Sequence, residues 1–417
     1  MPITQAENFI SVLRAAFGHG TKPLTSPDWD ELAQLAQTQM LTALFYTGVV
    51  QYDAFSTWAP EKRLKLQRET ITAVGAQAMR TQRFLPLYQA LVEAGLRPLV
   101  LKGIICRNLY GDLADYRPSS DEDLYLPPEQ IPQARAVLER EGWRLDYHED
   151  SVQVADRMQE IAFTDAGGQL HLELHPTLFG TDSLDHRCRT AYFRGIEARA
   201  VVVEVDGVAL HTLGYTDHYL YLFLHLAKHF SNGGVGVRQI CDLMQFQRAY
   251  GGQIDWPEVR RAVQELSFPG LYADVVAIGG RLGFEADPMF PSVQPDQLLL
   301  DSLEGGVYGF DREGGGRGNV LNVAAQYPTR FQRLQRLLFP SVSQLVDGRP
   351  WLKRRPWLLP VAWVQRAGLL FFDSKHHSRI TGKALKSAYG RLGLLRGYGM
   401  TGRTSQRRPG GKRGDDP

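Results

Sequence analysis

The stretch Arg117-Pro118-Ser119-Ser120-Asp121-Glu122-Asp123-Leu124-Tyr125-Leu126 decides how this chain is read. Its second half, ending in Leu124-Tyr125-Leu126, reads as a short strand, and Pro127-Pro128 stops it. Side chains alternate faces along a strand, so Asp121 and Asp123 point the same way. Two carboxylates roughly 5–7 Å apart repel one another unless a cation sits between them. Hard divalent ions such as magnesium take oxygen ligands of this kind and keep positions open for phosphates. A solvated acidic loop with serine caps would carry the same letters.

Downstream, Leu170-His171-Leu172-Glu173-Leu174-His175 alternates cleanly. Its leucines share one face, so His171, Glu173 and His175 share the other. That face aims a third carboxylate at whatever lies opposite; an antiparallel sheet with one wet face explains the alternation equally well. The two histidines also raise zinc as an alternative ion, or they hydrogen-bond to Glu173 or to phosphate. Upstream, Pro98–Leu101 reads as a short buried strand, followed by Lys102-Gly103 and a helix over Ile104–Tyr110. A glycine there admits a ligand close to the backbone, and helix N-terminal amides favour phosphate oxygens. Lys102 would add a point charge. An ordinary turn with a solvent-facing lysine gives the same two residues, and the P-loop pattern is absent.

Around this centre the expected fold class is α+β: a mixed sheet with flanking helices, preceded and followed by helical regions. Residues 1–95 read as helical, with Asp28 or Asp30 capping a segment through Leu32, Leu35, Met40, Leu41 and Leu44, and a second segment from Glu61 to Ala94 ending at Gly95. Residues 96–212 form the mixed core. It contains a helix over Gln130–Glu141, a strand candidate at Trp143–Tyr147, a hairpin of Ile161–Thr164 and Leu170–His175, and another of Val201–Val205 and Val208–His211 around Asp206-Gly207. Residues 213–300 return to helices: Asp217–Phe230, Arg238–Tyr250 and Trp256–Leu266, the last started by Asp255 and Pro257. Residues 301–372 combine a loop holding seven glycines between Glu304 and Asn319 with helix candidates Gln332–Leu338 and Val361–Phe372. Residues 373–417 are a basic tail whose end, from Gly402, lacks apolar residues and reads as disordered.

Composition narrows the class. Of 417 residues 43% are apolar and 22% charged, which excludes a mainly disordered, collagenous or coiled-coil chain. No uninterrupted apolar run reaches about 18 residues, so a spanning helix is not expected. The opening MPITQAENFISVLRAAF carries Glu7 and no basic region ahead of an apolar core, so it does not read as a secretion signal. Cys106, Cys188 and Cys241 are scattered and odd in number, which fits a reducing cytoplasm. The net charge of +2 conceals an asymmetry: from Arg349 onward there are 16 Lys+Arg against 3 Asp+Glu, and in the rest 31 against 42. A basic tail on an acidic body points to an anionic partner, nucleic acid or a lipid surface. The aromatic stretch Trp351–Phe372 either packs on the body as a helix or lies on a membrane surface beside Lys353-Arg354-Arg355. The expected location is the cytoplasm, with a peripheral position at the membrane left open by that tail.

In their order these pieces resemble the nucleotidyltransferase fold of the DNA polymerase beta superfamily, and more narrowly a family of uncharacterised nucleotidyltransferases. The carrying residues are Leu101-Lys102-Gly103, Arg117-Pro118, Asp121–Leu124, and Glu173 with His175. The helical Leu222–His229, Arg238–Leu243 and Leu338-Phe339-Pro340-Ser341 fit as well. The resemblance spans most of residues 30–370. It implies transfer of a nucleoside monophosphate from an NTP, with ATP the expected donor, to a hydroxyl of a sugar, small molecule or protein. It further implies that Asp121 and Asp123 hold two magnesium ions about 3.5–4 Å apart. Glu173 would complete the second ion's shell and accept the attacking hydroxyl's proton. Lys102, Gly103, Arg117, His175 and Lys228 are the implied nucleotide contacts, and His225, Lys228, His229 and Asp242 lie where helices would close the cleft. A non-catalytic nucleotide-binding module of the same fold, or a surface-associated protein acting through its tail, are the alternatives.

Overall fold

The computed structural model describes residues 1–146, 160–179, 192–232, 234–285 and 287–306, with 355–363, 365, 391 and 393–400 further along. They belong to two compact units: Met1–Lys228 with Val235–Val307, and His229–Gly234 with Tyr308–Pro417. The expected regions 1–95, 96–212 and 213–300 thus all contribute to the first unit, save for residues 229–234. The helix candidate Gln332–Leu338, the segment 338–341, Lys353-Arg354 and Cys188 lie outside the described residues, as do most of the glycine loop and of the tail.

The first unit is built on a sheet of strands β1 (Leu99–Val100), β2 (Asp121–Tyr125), β3 (Arg144–Leu145), β4 (Ile161–Thr164), β5 (His171–His175), β6 (Val201–Val205) and β7 (Val208–Thr212), in the order β3-β4-β5-β2-β1-β7-β6. Both expected hairpins form as antiparallel pairs, β4–β5 and β6–β7. Asp206 and Gly207 each take a positive φ, 48° and 77°, as a two-residue hairpin turn of mirror-image type requires. The central β2 runs antiparallel to β1 and parallel to β5.

Alternation sends Leu124, Leu172 and Leu174 to one side of the sheet. There they bury against Phe84, Tyr88 and Leu91, Ile104 and Ile105, and Val137 and Leu138. Each such side chain contributes about 1.5–3 kcal/mol through burial. Those partners sit on three helices, α4 (Pro60–Glu93), α5 (Ile104–Asn108) and α6 (Ile131–Arg140). Gly95 closes α4 as anticipated: with φ at 83°, its amide reaches the Val92 carbonyl while Leu96 reaches back to Leu91.

Ahead of α4 stand α1 (Ile3–Ala16), α2 (Trp29–Thr38) and α3 (Thr42–Val49). Asp28 caps α2, its Oδ1 accepting from the amides of Asp30 and Glu31 at 3.1 and 3.0 Å. The segment read as continuous through Leu44 breaks between α2 and α3, where Met40 adopts a left-handed φ of 54°. After the sheet come α7 (Ile196–Arg199), α8 (Tyr215–Asn232), α9 (Val237–Tyr250), α10 (Trp256–Glu265), α11 (Pro269–Arg281) and α12 (Pro295–Gly305). Apolar periodicity does not mark the last two. Residues Leu271–Val276, Ile278 and Gly279 of α11 are all buried, so that helix has no polar stripe to betray it. In the second unit the Phe230 ring is flanked by the Arg391 guanidinium at 4.9 Å and by Tyr398, and Arg391 also donates to the Phe230 carbonyl. No helix among the described residues is long and apolar enough to cross a membrane.

His218 ties α8 to the sheet. It is fully buried, its Nε2–H donates to the Leu101 carbonyl at 2.6 Å, and its Nδ1 lies 3.1 Å from a Thr212 hydroxyl that itself reaches Val100. Burial pushes its pKa down to about 4, from 6.5 in the open chain. The unfolded chain therefore takes up a proton at pH 6.5 that the folded chain refuses until about 4. The contribution is complete above pH 6.5 and is lost as pH falls towards 4. Denaturation at pH 7 and pH 5 should show wild type losing about 2 kcal/mol more than His218→Gln; equal losses would refute this role.

Candidate active site

The polar face of the sheet carries the site. The parallel register sets Asp123 directly beside Glu173, Asp121 beside His171 and Tyr125 beside His175. Glu173 is thus turned towards Asp123, 50 residues away in sequence, because β2 and β5 pair in parallel with matching parity. Asp123 is 1% exposed. Its Oδ1 receives two donors, His175 Nε2 at 2.9 Å and Lys102 Nζ at 3.2 Å. Its Oδ2 is buried and finds no hydrogen-bond partner among the described residues. Glu173 Oε2 lies 3.4 Å from the same His175 Nε2. Ligand atoms of Asp123, Glu173 and His175 all fall within 4.8 Å of one another.

Opposite charges hold this cluster together. Burial opposes ionisation of Asp123, but the Lys102 ammonium and the His175 hydrogen bond outweigh it and hold the carboxyl well below its usual range. Burial likewise works against charge on Lys102, and Asp123, Tyr221 and Asp121 together raise its pKa. Burial lowers His175, yet its bonds to Asp123 and Glu173 lift it to about 9. Lys102 has only protons to give, so His225 Nε2, 3.1 Å away, must accept from it. Tyr221, one turn before His225 on α8, is buried with its ring 5.8 Å from that imidazole. The sequence had placed His225 towards the cleft; the wider polar environment set by Tyr221 was missed, although its spacing of four from His225 was a signal.

The other expected residues are placed differently. Asp121 shares the face of Asp123 but stands outside the compact group, its Oδ1 accepting from the Ser120 hydroxyl at 3.0 Å. Arg117, expected on a phosphate, is buried and bound in bidentate fashion to Asp242, at 3.0 Å from Nε and 2.6 Å from Nη2. Asp242 also accepts from Tyr110 at 2.8 Å, so Arg117 and Asp242 form a buried, hydrogen-bonded pair. Lys228 is half-buried on α8, about one turn beyond His225, and His229 belongs to the other compact unit.

Gly103 is required for a reason the sequence hid. Its φ is 50°, and a Cβ there would stand 1.9 Å from Glu122 Oε2. Glu122 is the residue between the two aspartates, and alternation drives it into the core, fully buried. It accepts from the Ile104 amide at 2.7 Å and pairs with Arg107 at 3.0 Å. The close approach at Gly103 therefore serves a protein carboxylate, which already occupies the Ile104 amide.

The donors present suit a divalent cation: two carboxylates and an imidazole, around a buried carboxylate oxygen that has no hydrogen-bond partner among the described residues. No curated protein and no solved structure matches the chain. A family described as uncharacterised nucleotidyltransferase does, over residues 25–272. That span holds the whole sheet and every residue of the cluster, and since it exceeds half of the 417 residues, the chain belongs to this nucleotidyltransferase family.

Proposed function

We propose that the protein transfers a nucleoside monophosphate from an NTP to a hydroxyl acceptor in a reaction that depends on a divalent cation. The oxygen of the acceptor bonds to the α-phosphorus, the bond from that phosphorus to the α–β bridging oxygen breaks, and pyrophosphate leaves with the electron pair. The observation that carries this reading is Asp123 Oδ2, a buried carboxylate oxygen without a hydrogen-bond partner among the described residues, next to Glu173 and His175.

Asp123, Glu173 and His175 would hold the cation, which supplies positive charge against the phosphate oxygens as charge shifts onto pyrophosphate. Glu173 is the more exposed carboxylate, so its second oxygen can take the proton of the attacking hydroxyl. Lys102 forms an ion pair with Asp123. The Lys102 ammonium would also face the triphosphate, and His225 limits where it can go. Positioning by these groups supplies the rest, since phosphoryl displacement asks little covalent chemistry of the protein.

The test is label transfer. The protein is incubated with each α-labelled NTP, a divalent salt and a cell extract, and both labelled products and pyrophosphate are followed. A labelled component appearing together with stoichiometric pyrophosphate supports the proposal. Absence of both with every NTP, in a protein shown to be folded, would sink it.

A further inference from the structure

We infer that the site holds one divalent cation per chain with the His175 imidazole as a direct ligand, a nitrogen–oxygen donor set that favours a first-row transition ion over magnesium. This rests on the cation-dependent reading above and specifies the ion and its ligands.

Four features carry it. His175 Nε2 lies 2.9 Å from an Asp123 oxygen and 3.4 Å from a Glu173 oxygen, close to the roughly 3 Å that separates neighbouring ligands around an ion bonded at about 2.1 Å. The imidazole is 8% exposed and held facing the carboxylates, and Asp123 Oδ2 is buried with no hydrogen-bond partner among the described residues. Lys102 Nζ already stands 3.2 Å from Asp123 Oδ1, so a second ion on that oxygen would have to displace an ammonium. Asp121, the residue a second ion would need, is bonded to Ser120 and lies outside the converging group.

Softness of the donors then decides between metals. Magnesium prefers oxygen and keeps its waters, whereas imidazole raises affinity along the first transition row. Three protein ligands leave the remaining positions of an octahedral ion for water or phosphate oxygens. The hydrogen now between Nε2 and Asp123 leaves to solvent when the ion binds, because ligation requires the neutral ring.

Manganese is the probe, added to the full chain and followed by electron paramagnetic resonance. Loss of the free-ion signal gives the stoichiometry, and pulsed spectra report nitrogen bound to the ion. One Mn2+ per chain is expected, with a nitrogen coupling that changes when the unaltered chain is grown on 15N-histidine. His175→Gln should lose the coupling and weaken Mn2+ about tenfold or more, while His171→Gln keeps both. Magnesium should displace Mn2+ only in at least about tenfold excess. The isotope experiment needs no substitution, so a variant that fails to fold does not decide the matter. Oxygen-only coordination, two ions per chain, or no binding would each overturn the inference. Oxygen-only binding with label transfer intact would leave the transfer reading standing. Nitrogen-ligated Mn2+ in a protein that transfers no label would support the ligand assignment and remove the transfer reading.

Discussion

Asp123→Asn is expected to slow pyrophosphate release by about 10³-fold, close to 4 kcal/mol of barrier, while the circular dichroism spectrum of the folded chain is kept. The substitution conserves volume and removes the one charge that faces Lys102, His175 and the bare end of the cluster at once. An amide in place of Oδ2 is a poor ligand for a hard ion, and an amide nitrogen there would face the positive groups directly. The leucines on the opposite side of β2 and β5 are untouched, so the core persists. Parent and variant releasing pyrophosphate at equal rates would remove Asp123 from the chemistry.

Arg107→Met should cost about 3–5 kcal/mol of stability, read from urea denaturation. Glu122 and Arg107 are both buried, burial pushes the glutamate's pKa up and the arginine's down, and their mutual attraction pulls each back. Removing the arginine strands a carboxylate that retains the Ile104 amide as its remaining donor. Adding Glu122→Gln should recover more than half of the loss, because the glutamine carbonyl still accepts from Ile104 and the stranded charge is gone. A loss below about 1 kcal/mol in the single variant, or no recovery in the double, would show that the pair does not hold this turn together.

What the chain disclosed before its structure followed the range of each interaction. Alternation along β2 and β5, the Asp206-Gly207 turn, the Asp28 cap and the Gly95 stop are local, and each is found where the residues placed it. The pairing that brings Glu173 beside Asp123 is not local. Parity along a strand says which face a side chain takes, and leaves open which strand lies next to it. The same limit concealed the Arg117–Asp242 pair, whose members stand 125 residues apart. Glu122 was legible in part: once Asp121 and Asp123 face the site, the residue between them must face the leucines, and a core carboxylate calls for a cation such as Arg107. The carboxylate that lies closest to Gly103 is this Glu122, a contact the local sequence does not reveal.

The strand bearing Asp123 is bonded along both edges, to β1 on one side and β5 on the other. The Asp123 carbonyl accepts from Leu101 at 2.9 Å, and beyond the strand's end Leu126 donates to the His175 carbonyl at 3.2 Å. Backbone held in this way trades its amide protons for deuterium only when the whole sheet comes apart. Loosening of surface helices therefore leaves the acidic centre assembled, and its lifetime is that of the native state.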